Sequence, residues 1–136
     1  MAIQYSLTHR TNAMTQLNTD IGASCIIKIF TATEPVNCGT TDAGTLLATF
    51  AGNAAGFGTV GSQVLTAAAV SSVTASGTGT AAYFRIYPNG GSATSAVVQG
   101  TCGLSGASPD MVLTNTSIVS GQTCNFTSMT ITAFGV

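Results

Sequence analysis

The sequence predicts an all-β fold, an antiparallel β-sandwich or barrel, with one short N-terminal helix and residues 1–136 as a single domain. Three observations carry that prediction. Short apolar runs recur at roughly ten-residue spacing, punctuated by Gly and Asn, as in sandwiches and barrels. Polarity comes from 23 Thr and 13 Ser rather than from charge, and Thr is β-branched and favours strands. Only one stretch repeats apolar residues at helical spacing. One domain of 136 residues buries roughly two-thirds of its unfolded surface, enough for a core without metals or disulfides.

That helical stretch covers residues 9–21, with Met14, Leu17 and Ile21 on one stripe, Thr8 as the cap and Gly22 in the C′ position. Ser24 to Thr31 reads as a strand, with Cys25, Ile27 and Ile29 on one face and Ile26, Lys28 and Phe30 on the other. Two apolar faces imply cover on both sides, by the helix or by a partner. Residues 34–43 read as a loop and Thr45 to Phe50 as a second strand. Residues 52–62 contain Gly56-Phe57-Gly58-Thr59-Val60-Gly61, formally a G-x-G-x-x-G. Without a preceding strand, a following helix or an acid some 20 residues on, it is a loop and not a dinucleotide site. Gln63 to Ala75 supplies one or two strands.

Thr80 to Tyr87 is the clearest alternation, with Ala82, Phe84 and Ile86 expected inward and Tyr83, Arg85 and Tyr87 outward. That outward stripe is the one candidate interface, since Tyr and Arg dominate interface hot spots; its other reading is a plain solvated sheet face. Pro88-Asn89-Gly90-Gly91 signals a turn, Thr94 to Thr101 its returning partner, and residues 103–109 a loop. In the closing segment, Asp110 to Phe134, Cys124 and Phe126 have one parity and Met129, Ile131 and Ala133 the other. One face collects all five only if an extra residue sits near Thr127-Ser128, as in a β-bulge.

Seven residues carry charge (Arg10, Lys28, Arg85, Asp20, Glu34, Asp42, Asp110), or 5%, where about 25% is usual. A net charge of −1 gives no field to steer nucleic acid or an anionic membrane. No apolar run approaches the ~18 residues of a membrane span, and no secretory signal is present at the start. With a single Lys, sheet edges are either capped by loops or buried against other subunits, and the second is preferred. Cys25, Cys38, Cys102 and Cys124 lack zinc or redox spacing and read as free thiols, Cys25 and Cys124 as small core residues. His9 stands alone beside Arg10, no G-x-S-x-G occurs, and nothing pairs two carboxylates. The expectation is no enzyme, cofactor, metal or small-molecule substrate. Asn115-Thr-Ser and Asn125-Phe-Thr match the glycosylation pattern by chance in so Thr-rich a chain.

Across nearly the whole chain, the order of features resembles a family of small bacteriophage virion proteins. A short helix (Arg10 to Ile21) precedes an I-K-I-aromatic-T strand (Ile27 to Thr31), then TLLATF (Thr45 to Phe50) and a Phe57-Gly58 turn. A GTATYFRI-like strand (Gly79 to Ile86) and a glycine-rich turn (Gly100 to Gly106) follow. The end, Asp110 to Thr132, is similar to DLxLxxTSIxxGxTVxxxSxTIT, with Cys124 where the pattern has an aliphatic. The resemblance implies a capsid cement or decoration protein, jelly-roll-like or a related β-sandwich, bound at capsomer junctions; with the low charge and unguarded edges, the expected partners are the major capsid protein and further copies in a homo-oligomer. It places the chain in the virion, assembled in the host cytoplasm. Alternatives are a tail or head–tail component, or a carbohydrate- or receptor-binding β-module.

Overall fold

The computed structural model describes residues 3–133. Helix α1 (Leu7–Ile21) starts two residues before the expected 9, because Ser6 rather than Thr8 caps it: the Ser6 hydroxyl accepts from His9 N at 3.2 Å. Gly22 ends the helix at φ 72°, donating its N–H to Asn18 O. Met14 and Ile21 are buried, and Leu17 packs against the same core.

The strands are β1 (Ile26–Phe30), β2 (Leu46–Ala51), β3 (Gly58–Gly61), β4 (Val64–Ala67), β5 (Val73–Thr74), β6 (Gly79–Thr80), β7 (Tyr83–Tyr87), β8 (Val98–Leu104), β9 (Met111–Leu113), β10 (Ser117–Ile118), β11 (Thr123–Cys124) and β12 (Phe126–Thr132). Eight of them form one strongly curled sheet in the order β2-β1-β7-β8-β9-β12-β4-β3. β10 pairs with β6, and β11 with β5, as short outlying ribbons. The fold is mostly β with one short helix, as expected, but the main sheet is mixed and not wholly antiparallel. β8 and β9 run parallel, Cys102 beside Met111. The short link between them, residues 105–110, turns back through Gly106 at φ 100° and Ser108 at φ 52°.

The curl encloses a single core that includes Ile27, Leu47, Phe50, Phe84, Met111 and Met129. Phe50 and Phe126 meet across it edge to face, centroids 5.3 Å apart. β12 joins the two halves of the sheet, pairing with β9 on one side and β4 on the other. Its register slips between Phe126 and Ser128, where the parity of the sequence demands a bulge. Thr127 and Ser128 are both exposed, and Cys124, Phe126, Met129, Ile131 and Ala133 all join the core. Phe134, the last residue of that run, lies outside the described residues.

One expectation changes. Residues 58–61 of the glycine-rich stretch are not loop but edge strand, joined to β4 by a two-residue turn with Ser62 at φ 47° and Gln63 at φ 68°. Each outer sheet edge also has one residue hydrogen-bonded from within the chain. The Asn18 amide donates to Gly58 O (3.0 Å) and accepts from Gly58 N (3.1 Å), matching a strand neighbour at the start of β3. At the β2 edge, Ser76 N donates to Leu47 O at 2.8 Å.

Candidate functional site

The polar cluster of this protein lies where β1, β7 and β8 run side by side. β1 sets Lys28 opposite Arg85 of β7, and β8 sets Gln99 on the other side of Arg85. Two cations facing each other across a strand pair repel unless an anion lies between them. Asp42 supplies it, with Oδ1 3.0 Å from Arg85 Nη1 and Oδ2 4.0 Å from Lys28 Nζ. Lys28 also sits 4.7 Å above the centre of the Tyr87 ring.

Tyr83, Arg85 and Tyr87 were expected to face outward; instead all three are buried, at 1%, 0% and 0% exposure. The loop between β1 and β2 folds over them and covers the second face of β1. Arg85 holds the loop by its carbonyls: Nη1 donates to Thr40 O (2.6 Å) and Nη2 to Asn37 O (2.9 Å). Nη1 also reaches Ala93 O (3.3 Å), and Nε and Nη2 both donate to Gln99 Oε1 (3.2 and 2.8 Å). Every guanidinium N–H therefore has an acceptor, the condition for burying a charge. Gln99 Nε2 donates in turn to Pro35 O (2.6 Å). Tyr83 OH donates to Ala43 O (2.7 Å) and accepts from Ala43 N (2.9 Å). Tyr87 OH donates to Asp42 Oδ1. Burial first, and the Asp42 carboxylate second, raise the Tyr87 phenol pKa well above its usual range; burial does the same, less strongly, to Tyr83. Phe30 stacks on Tyr83 at 5.1 Å and completes the layer.

This arrangement is a clamp. The Arg85 and Gln99 side chains spend their polar atoms within the chain, on the loop, on Ala93 O and on each other. Sequence reasoning missed Asn37, Thr40, Asp42 and Gln99 as its other members. The available signal was a Lys and an Arg on strands that pair, which calls for an acid nearby.

A second polar group marks the β8–β9 junction. Asp110 Oδ2 accepts from Thr101 N (2.8 Å) and Thr101 Oγ1 (2.9 Å). Gly100 makes room for it, since a Cβ there would lie 2.9 Å from both the carboxylate and the Phe84 ring. Cys102 lies beside it, with its thiol pKa pushed up to about 12 by burial and then by the Asp110 carboxylate. Burial also raises Cys25 and Cys124, and all four cysteines are free. Cys25 and Cys124 are core residues; Cys38 and Cys102 are half-buried.

The remaining candidates fall in separate places. His9 lies in the exposed first turn of α1, stacked on Tyr5 at 5.2 Å. Asp20 accepts from Gln16 Nε2 (2.8 Å) on the same helix. Asn115 builds its own turn, accepting from Ser117 N, and Asn125 accepts from Thr114 Oγ1. Among the described residues, no three His, Cys, Asp or Glu gather to hold a metal ion, and no helix is long and apolar enough to cross a membrane. Comparison with protein families, curated proteins and solved structures gave no match to this chain.

Proposed function

We propose that this chain is a structural protein of a bacteriophage shell, a cement or decoration protein that binds the major capsid protein and neighbouring copies. A jelly-roll kinship for the curled sheet belongs to the same reading. The observation that carries it is where the few charges go. Of seven ionised side chains, Arg85 is fully buried, and Lys28 and Asp42 keep side-chain exposures of only 23% and 16%. That leaves Arg10, Asp20, Glu34 and Asp110 to serve a surface of 6950 Å². A face of neutral Thr, Ser and Ala costs little to desolvate against a neighbour and offers no repulsion to a copy of itself. Ligand-like binding to the assembled lattice, and not to free subunits, stabilises the shell by mass action.

Two of the three tyrosines are buried in the clamp, so the chain lacks the aromatic platform of a carbohydrate- or receptor-binding module. Quantitative mass spectrometry of purified particles tests the proposal. Copy numbers on the scale of the shell subunits are expected. A handful per particle would reassign the chain to the tail or head–tail junction, and absence from particles would overturn the virion reading.

A further inference from the structure

Strand β9 is three residues long, yet β8 and β12 on either side of it are seven each. β8 pairs with β9 only from Cys102 onward, and β12 pairs with it only as far as Met129. Val98 to Thr101 and Thr130 to Thr132 therefore continue on either side of a lane that no strand fills. The chain turns out of that lane at Ser108, φ 52°, and at Pro109, which has no N–H to give a ladder.

The peptide groups bordering the lane point into it. On β8, Cys102 N donates to Ala82 O beside β7 (2.9 Å), while Thr101 N donates the other way, to Asp110. Peptide groups alternate sides along a strand, so Gln99 N–H and C=O face the lane. On β12, Ala133 N donates to Gln63 O beside β4 (3.0 Å), which turns the peptide groups of Thr130 and Thr132 toward the lane. The space is a cleft of about 410 Å³ lined by Phe84, Val98 and Ile131, with Thr130, Thr132 and Asp110 also at its walls.

We infer that this lane takes an added β-strand, and that the strand is the N-terminal arm, residues 3–6, of a second copy of this chain. The arm fits in length, since about four residues are missing between seven-residue neighbours and a three-residue strand. It fits in pattern. Ile3-Gln4-Tyr5 alternates apolar and polar, as a strand with one face on the half-buried Val98 and Ile131 and the other in water requires. The arm also lies outside every strand of its own chain: Ile3 is 80% exposed, Tyr5 stacks on His9 of the adjoining helix turn, and Ser6, the cap of α1, is extended at ψ 152°. It carries no charge, and the chain as a whole carries only −1. Two arms exchanged about a two-fold axis fill both lanes, so the assembly closes as a dimer. This inference stands apart from the virion reading, since an arm-exchanged dimer forms with or without a shell.

The test is sedimentation of the full chain over a concentration series, with amide hydrogen exchange read at Gln99, Thr130 and Thr132. A dimer is expected, with those three amides slowed in the dimer and released on dilution. Ile3→Asp should weaken dimerisation at least about tenfold, the loss expected for one apolar anchor, and leave the thermal midpoint of the monomer unchanged. Thr132→Pro should weaken it too, because it deletes a lane-facing N–H and no bond to β4. A chain that remains monomeric overturns the inference. So does a dimer indifferent to both substitutions, and so do slowed amides in a monomer, which would mean that the lane is filled from within.

Discussion

Gln99 stands between two regions that solve the same problem in opposite ways. Its side chain enters the clamp, where Arg85, Asp42 and the 32–44 loop satisfy one another beneath a closed surface. Its backbone borders the lane between β8 and β12, which no strand occupies. In the clamp the polar groups are buried, so each needs a partner from the chain itself, and the loop's carbonyls supply them. In the lane Thr101 N is met by the Asp110 carboxylate, while Thr130 and Thr132 are exposed, so water can serve their peptide groups at little cost. Closure follows burial.

The widest break in this comparison comes from the bulge. The extra residue Thr127 lets β12 pair with β9 at Phe126 in one parity and with β9 and then β4 from Ser128 on in the other, keeping Met129, Ile131 and Ala133 inside. Deleting Thr127 removes the extra residue, and one set or the other must turn to solvent. A loss of at least about 4 kcal/mol is expected from burial of Met and Ile alone. Denaturant unfolding should show the cooperative transition weakened or lost. An unchanged midpoint would mean that the core does not depend on β12's register.

Next in size is the clamp. Arg85→Met keeps the length of the stem but leaves Thr40 O and Asn37 O without their guanidinium donor and takes from Asp42 its closest cation, with Tyr87 OH and the more distant Lys28 still beside it. Breaking a buried pair from one side costs about 3 kcal/mol or more. The thermal midpoint should fall by on the order of 10 °C, and protease should cut first within residues 32–44. If that loop stays resistant, apolar contacts hold it and the guanidinium is incidental.

Smaller again is the cap on β3. Asn18→Ala removes both hydrogen bonds from Gly58 and should cost about 1–2 kcal/mol, with faster amide exchange at Gly58. Exchange unchanged at Gly58 would show that the edge needs no cap, which would bring it closer to the open lane.

Which of these features the sequence makes legible follows from how local their causes are. The bulge can be read from parity alone, because a strand's faces alternate without regard to what packs on them. The helix and its Gly22 end are visible for the same reason, although Ser6 displaces Thr8 as the cap. The β3–β4 hairpin is hidden because Ser62-Gln63 occupies a turn with two positive φ values where Asn-Gly would be the signal. Conversely, Asn89-Gly90 marks a genuine turn, with Gly91 N donating to Pro88 O, but β8 begins only at Val98. The clamp is hidden most deeply. Alternation correctly places Tyr83, Arg85 and Tyr87 on the face opposite Phe84, yet no local rule says that a loop more than 40 residues earlier in the chain will cover that face.

The finest test asks whether the clamp and the thiols are as dry as their surroundings imply. Burial raises the pKa values of Cys25, Cys102 and Cys124 above the ordinary 9.0, Cys102 to about 12, and raises those of Tyr83 and Tyr87 above 10.0. Each group thus holds its proton more tightly in the folded chain than in the unfolded one. The associated stability is fully present below pH 9 and is lost as pH climbs from there toward about 12, because the unfolded state releases protons first. Denaturant midpoints should be flat with respect to these groups up to pH 9 and decline above it. In the native protein, a thiol reagent near neutral pH should leave Cys25 and Cys124 unmodified until the chain unfolds, and Cys102 should react more slowly than Cys38. Asp110→Asn removes the lesser of the two causes acting on Cys102, so it should speed that thiol's reaction only modestly. A large acceleration would make the carboxylate, and not burial, the dominant influence at the β8–β9 junction, and would mean that solvent reaches Cys102 from the open lane.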